Sequence, residues 1–216
     1  MSYYSKILLS TLAAPLLLPL PLSAEENKMS LGLYANIVGS SGEPSNDVLG
    51  AGLIGSYKYN ASWYIDMELI HSKADFERPW KIAGVIQDPS VDTIDAKYTS
   101  NILMAHLRQN IKSNNPAYDW YWSAGIGLNS LDIDDASGPV EGGGTFNIKS
   151  NASTETIVGF KTGIKHHVSE TWNINYAIRL DYHMADWEVT DSVSNASGTI
   201  DDYITYGALI GVEKLF

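Results

Sequence analysis

The sequence predicts an all-β protein, an eight-stranded antiparallel up-and-down transmembrane β-barrel with short turns at one end and longer connections at the other. Three observations predict it. Eight segments of about ten residues or more alternate apolar and polar side chains, the length a tilted strand needs to cross a bilayer. The connections between these segments alternate short and long. The last segment, Tyr203 to Phe216, sets Ile204, Tyr206, Ala208, Ile210, Val212 and Phe216 on one face. Its other face carries Tyr203, Thr205, Gly207, Leu209, Gly211, Glu213 and Leu215. A strand that is apolar on one side and accepts Gly and Glu on the other suits a wall between lipid and a polar interior.

Residues 1–24 stand apart from this pattern. Lys6 precedes an apolar run from Ile7 to Leu22, and Ser23-Ala24 precedes Glu25-Glu26. This reads as a secretory signal peptide, leaving residues 25–216 as one barrel domain. Pro15, Pro19 and Pro21 argue against a stable spanning helix there. Beyond it, no run approaches the roughly 20 apolar residues of a membrane helix. There is no cysteine, so no disulfide framework is available. The 14 Lys and Arg less Lys6 leave 13 basic residues against 25 acidic ones, a net of −12. That sign disfavours nucleic acid as a partner, because phosphates are repelled.

The first strand is expected over Met29 to Val38, with Leu31, Leu33, Ala35 and Ile37 opposite Ser30, Gly32, Tyr34 and Asn36. Gly, Ser, Pro and Asn residues between Gly39 and Asp47 end it. The second runs from Val48 to Tyr59, and Asn60-Ala61-Ser62 turns the chain into the third, Trp63 to Ser72. Lys73 to Asp95, with Pro79 and Pro89, is a long connection. The fourth strand, Lys97 to Ile111, sets Leu103, Ala105 and Leu107 against Met104, His106 and Arg108. Lys112 to Asp119 is a short turn into the fifth, Trp120 to Leu131. Asp132 to Asn151 is a long Asp-rich connection containing Gly142-Gly143-Gly144. The sixth strand is Ser153 to His166, and the seventh, Trp172 to Met184, alternates most cleanly. Ala185 to Asp202 is the last long connection.

Which face meets lipid follows from two rows. Tyr57, Tyr59, Trp63, Trp120, Trp122, Trp172 and Phe216 all fall on the apolar parity near the short-turn end. Collected at one level, they form an aromatic girdle of the kind that marks a membrane interface. The opposite parity carries Lys58, Arg108, Lys161, Lys165 and Arg179 against Asp66, Glu68, Glu155, Asp181 and Glu213. An eight-stranded barrel has an interior just wide enough for side chains to fill, and buried charges there must be paired. Inward glycines such as Gly52, Gly125, Gly127 and Gly211 make room for the long chains.

With this pattern the chain resembles the eight-stranded outer-membrane barrels of the OmpA/OmpX/Ail type. The resemblance covers the mature chain in pattern and rests on the eight strands, the alternating connections and the terminal Phe216. Ala208, Ile210, Val212 and Phe216 look like that family's C-terminal assembly signal, which implies the barrel-assembly machinery as a partner. The family usually has an aromatic two residues before the last, where this chain has Lys214. The resemblance implies the outer membrane of a Gram-negative bacterium, with lipid and lipopolysaccharide as surroundings. It also implies a stand-alone barrel without a cofactor.

Several residue sets admit a chemical reading. Asp66, Glu68, His106, Arg108, Arg179 and Asp181 read as an acid–base or ion-conducting site, or as a salt-bridged plug. The balanced signs and narrow bore favour the plug. His71 and Ser72 are adjacent on a strand and so point to opposite faces, which argues against a hydrolytic dyad. His166, His167 and His183 form a weak metal-ligand set. Asp132, Asp134 and Asp135 lack the Gly and distal Glu of a calcium loop. Acidic residues concentrate in the connections, among them Asp88, Glu188 and Asp202. They read as solubility, as recruitment of divalent cations that bridge to lipopolysaccharide, or as a face for a basic partner. The favoured function is a non-enzymatic barrel presenting loops in an adhesin-like role. A narrow pore or carrier is the alternative, and a lipid-modifying enzyme is least favoured. The partner of the loops is not encoded in any motif.

Overall fold

A computed structural model describes residues 28–41, 48–77, 95–140, 143–150 and 153–216. The expected leader and Asp88 lie outside the described residues. The chain forms β1 (Met29–Ser41), β2 (Val48–Lys58), β3 (Trp63–Glu77), β4 (Asp95–Lys112), β5 (Tyr118–Ile133), β6 (Ala136–Pro139), β7 (Thr145–Ser150), β8 (Ser153–His167), β9 (Trp172–Met184), β10 (Trp187–Asp191), β11 (Ser197–Ile200) and β12 (Tyr203–Leu215).

Eight strands close into a barrel in the order β1-β12-β9-β8-β5-β4-β3-β2, with antiparallel pairing throughout. These are the eight strands that alternation predicts. β12 returns to β1, running from Ser30 opposite Leu215 to Ser41 opposite Ile204, so no edge is left unpaired. Beyond the apolar belt the strands continue further than alternation reveals. β3 runs past Ser72 to Glu77, and β1 past Val38 to Ser41. Backbone pairing propagates there although neither face needs an apolar row.

Short polar side chains shape two of the short turns. Asn60 Oδ1 accepts from the N–H of Ser62 at 3.1 Å and of Trp63 at 3.0 Å. Ser169 Oγ does the same for Thr171 at 3.3 Å and Trp172 at 3.1 Å. Each oxygen stands in for a backbone acceptor and holds the chain reversal. Both ends of the barrel chain meet at this rim, where Phe216 N donates to Met29 O at 2.8 Å.

The connections Asp132 to Asn151 and Ala185 to Asp202, expected to be loops, contain β6, β7, β10 and β11. They pair into one four-stranded sheet in the order β11-β10-β7-β6. The two connections meet where Val189 lies opposite Ser150 and Asp191 opposite Ile148. Gly143 and Gly144 adopt φ of +96° and +109° in the turn between β6 and β7, a region that favours glycine. Phe146, Ile148, Trp187 and Val189 of this sheet are buried with Leu131, Ile133 and Tyr203 of the barrel rim. The molecule thus has an apolar core outside the barrel, while inside it buried charges sit beside a second apolar cluster that includes Ile54, Ile70, Met104 and Ile157.

Asp191 secures the turn after β10. Its carboxylate accepts from the N–H of Asn147 at 2.8 Å, Val193 at 3.2 Å and Ser194 at 3.1 Å, and from Ser194 Oγ at 2.5 Å. Asn195 completes the turn at a φ of 58°. Burial alone would raise the Asp191 carboxyl, but these donors outweigh it and hold the group below its ordinary value. A depressed carboxylate contributes stability that is full above its unfolded pKa, about 3.9, and is lost as pH falls through the folded value. Protection of residues 191–196 from hydrogen exchange should therefore hold from neutral pH down to about 4 and fall below it. Asp191→Asn should lower that protection at neutral pH and remove the acid dependence.

Candidate functional site

The barrel interior is built from one parity of each strand. β3 supplies Asp66 and Glu68, β4 His106 and Arg108, and β8 Glu155, Lys161 and Lys165. β9 supplies Arg179, Asp181 and His183, and β12 supplies Glu213; all of these are buried. Lys58, placed by sequence in the same network, ends β2 and stands half-buried at the short-turn mouth.

The charges pair in three levels. Nearest the short turns, Lys165 Nζ lies 2.6 Å from Glu213 Oε2, and Ser30 Oγ and Asn175 Nδ2 also donate to Glu213. Arg108 Nη2 is 3.4 Å from Asp66 Oδ1, and the guanidinium lies 4.6 Å from the centre of the Tyr64 ring. At mid-height Glu68 bonds Lys161, with His106 Nε2 at 3.2 Å and Arg179 Nη1 at 3.7 Å. Arg179 also holds Asp181, with Nη2 at 2.6 Å and Nε at 2.7 Å. At the third level Glu155 accepts from Asn129 Nδ2 at 2.7 Å, Tyr203 Oη at 2.8 Å and Trp187 Nε1 at 3.1 Å. His183 Nδ1 is 2.6 Å from the same carboxylate.

Space for these chains comes from glycines directly across the sheet. Tyr34 faces Gly52 on one side and Gly211 on the other. A Cβ at Gly52 would lie 2.4 Å from the Tyr34 ring, and one at Gly211 2.6 Å from Tyr34 Cβ. His106 faces Gly125 and Met104 faces Gly127 in the same way. Each large inward chain thus has its volume provided by the residue opposite it.

The two mouths differ. At the long-connection end, Trp187 and Tyr203 pack across the opening with ring centres 6.4 Å apart, and Tyr98 stacks on Trp187. Beneath them a cavity of about 30 Å³ reaches Ser72, Ser100, Arg179, Asp181 and His183. At the short-turn end a cavity of about 600 Å³ opens to solvent, with Lys165 and Tyr64 among the residues that line it.

Other sequence candidates fall apart spatially. His71 is exposed and Ser72 buried, on opposite faces. His183 belongs to the Glu155 cluster, while His166 stacks on Tyr118 and His167 pairs with Asp119 at 3.2 Å. Among the described residues, no group of His, Cys, Asp and Glu is placed to hold a metal ion. On the outside, Tyr57, Tyr59, Trp120, Trp172 and Phe216 are exposed, and Trp63 meets Trp122 edge-on at 5.6 Å. Ala208, Ile210 and Val212 form the exposed row of β12. Lys214 ends that row between two rings, 5.9 Å from Trp172 and 5.2 Å from Phe216.

Sequence reasoning missed Trp187 and gave His183 the wrong company. His183 carried a usable signal, since it shares the inward parity of Arg179 and Asp181. Trp187 sits in a five-residue strand, too short for alternation to register.

No family model matches the sequence, and no curated protein matches it. Solved structures do. Neisserial surface protein A is similar at 16% identity and a TM-score of 0.55, over 88% of this chain and 97% of that one. The outer membrane protein OprG of Pseudomonas aeruginosa is similar at 12% identity and 0.55, over 87% and 94%. A major outer membrane protein of Thermus thermophilus is similar at 9% identity and 0.52, over 87% and 99%. At such identities the likeness is one of fold: the chain has the fold of the small eight-stranded outer-membrane barrels.

The pairing generates a test of the interior. Arg108→Met leaves Asp66 buried without its cation and should cost about 3–5 kcal/mol in urea unfolding from micelles. Adding Asp66→Asn to the same chain should recover most of that loss.

Proposed function

We propose that this chain is an integral barrel of a Gram-negative outer membrane, with a leader at residues 1–24 and one barrel domain from residue 25 to 216. In this reading it strengthens the envelope and offers its four-stranded sheet to the outside as a non-enzymatic, adhesin-like surface. The exterior carries the reading. Leu33, Leu49, Ile126 and Ile178 point away from the barrel and are 59%, 66%, 60% and 63% exposed. Water-soluble proteins rarely leave so large an apolar belt uncovered, whereas lipid covers it without cost. The similar solved structures are a surface protein and two outer-membrane proteins, which supports the same setting here.

The short turns and both chain ends then face the periplasm, and lipid and lipopolysaccharide surround the wall. The exposed row of β12, ending in Phe216, is the segment the barrel-assembly machinery would read. Exposed acids of the outer end, such as Asp132, Asp134 and Glu188, suit divalent cations that bridge to lipopolysaccharide phosphates. Ile126→Arg tests the lipid contact. In bilayers it should destabilise the barrel by about 2–4 kcal/mol, against less than about 0.5 kcal/mol if Ile126 met water. The folded wild type should also migrate faster than the boiled protein on a gel.

A second reading, a narrow pore or carrier, has its own support. Among the described residues, Ser56 Oγ and Ser123 Oγ are buried in the lumen without a hydrogen-bond partner, as groups along a hydrated path would be. Planar-bilayer recording separates the two. A closed, structural barrel gives no steady conductance. A pore gives discrete steps that grow in Trp187→Ala and change in Arg108→Ala.

A further inference from the structure

Unused hydrogen-bonding atoms recur along the length of the lumen. Among the described residues, Asn175 Oδ1, Ser56 Oγ, Ser123 Oγ and Asn36 Oδ1 are buried without a hydrogen-bond partner. Asn175 stands with Glu213 near the short turns, and Asn36 lines the small cavity toward the outer mouth. Between them, Ser56 lies beside Asp66 in register, and Ser123 lies between Arg108 and Lys161. A buried polar atom of this kind is satisfied by ordered water. The orphaned atoms flank the ion pairs, while Ile70, Met104 and Ile157 fill the space beside them. A bore filled in this way is too narrow for a hydrated ion.

Two histidines stand on this polar track. His106 lies beside Asp66 in register, and its Nε2 is 3.2 Å from Glu68 Oε2. Its Nδ1 has no hydrogen-bond partner among the described residues. Around this pair, Glu68 also meets Lys161 and Arg179, Arg179 meets Asp181, and Asp66 meets Arg108. Asp181 neighbours Thr205 in register, and Thr205 Oγ1 lies 2.9 Å from His183 Nε2. His183 Nδ1 lies 2.6 Å from Glu155 Oε1, to which Tyr203 Oη donates at 2.8 Å. The Tyr203 ring stacks on His183 with centres 4.3 Å apart. Hydrogen bonds therefore run unbroken from Thr205 through His183 and Glu155 to Tyr203, across the level where Trp187 and Tyr203 pack over the opening.

We propose that the lumen conducts protons between its two mouths and excludes hydrated ions, with His106 and His183 as the carriers. An imidazole suits this work because it binds and releases a proton near neutral pH. At each ring one nitrogen takes up a proton and the other gives one up, so the charge of the ring is the same before and after. A half-turn of the ring restores its starting tautomer. Arg108 and Arg179 keep their protons and hold the carboxylates in place. Waters on Asn175, Ser56 and Ser123 link the cavity of about 600 Å³ at the short turns to His106. The cavity of about 30 Å³, which reaches Asp181 and His183, links that level to the lid. A hydrated ion would have to part the buried ion pairs, whereas a proton moves by exchange of bonds. The inference goes beyond both functional readings, because a barrel closed to salt can still pass protons. It rests on the membrane reading.

Phosphatidylcholine liposomes carrying the full barrel and a trapped pH-sensitive dye test it. A potassium diffusion potential set with valinomycin, negative inside, draws protons inward. The wild type should acidify the lumen of the liposome faster than protein-free liposomes do. His106→Gln and His183→Gln keep hydrogen-bonding side chains but cannot carry a proton, and each should slow the added flux about tenfold. His71→Gln, the same change on the exposed outer wall, should leave it unchanged. Gel mobility checks that each variant folds. A wild-type rate equal to that of empty liposomes overturns the proposal, as do unchanged rates in both lumen variants. In planar bilayers without valinomycin, a reversal potential that follows a potassium gradient in place of a proton gradient also overturns it. Protons near neutral pH are too dilute to give resolved single-channel steps, so the absence of salt steps leaves the proposal standing. The Ile126→Arg test decides lipid contact separately, which keeps a failure of the membrane reading distinct from a failure of the proton path.

Discussion

A closed eight-stranded sheet encloses so little room that every charge inside it must be both packed and paired. Arg108, Lys161, Lys165 and Arg179 are all buried, and so are Asp66, Glu68, Glu155, Asp181 and Glu213. Ionised groups taken out of water each incur a penalty of several kcal/mol, and only close partners offset it. The interior meets this with a ladder of shared contacts. Glu68 joins Lys161, His106 and Arg179, and Arg179 passes on to Asp181. The glycines opposite Tyr34, His106 and Met104 belong to the same solution, because a Cβ there would push the long chains off their partners. The strand register is thereby fixed from within. A slip of one residue would turn the inward charges to the apolar outer face and outward leucines such as Leu33 and Leu180 into the lumen.

The molecule is consequently inverted relative to a soluble domain, with a twist at one end. Inside the wall, ion pairs share the space with apolar chains such as Ile70, Met104 and Ile157. Above the wall, Phe146, Ile148, Trp187 and Val189 restore an ordinary apolar core under the four-stranded sheet. Trp187 belongs to both worlds. Its ring packs in the upper core while its Nε1 donates to Glu155 in the lumen. Glu155 is thus the joint at which the outer sheet is fastened to the barrel. At the opposite mouth the described residues surround a cavity of about 600 Å³ that opens to solvent.

Alternation made the barrel legible because its period is fixed by geometry and each wall strand is long enough to repeat it several times. β9 shows this best: Ile174, Tyr176, Ile178 and Leu180 lie outward in sequence and outward in space. The same parity placed Glu68, Arg179 and Asp181 on the inward row. It did not reveal who pairs with whom. That depends on strand tilt and side-chain length, so Glu155 meets His183 and not a lysine. The outer sheet was illegible for a different reason. β6 and β11 span four residues each, and their partners lie in another connection. Lys214 departs from the aromatic usual at that position; the neighbouring strand adds Trp172, so that its ammonium lies between that ring and Phe216.

The pairing of β7 with β10 makes one surface from two segments that the chain separates by a full hairpin of the wall. Val189 cannot move without Ser150, nor Asp191 without Ile148. Two connections that pair in register constrain each other. Sequence drift in residues 136–150 has to be matched by drift in 187–200, so this part of the surface would be expected to diversify as a linked pair, leaving a signature of covariation between distant stretches of the gene.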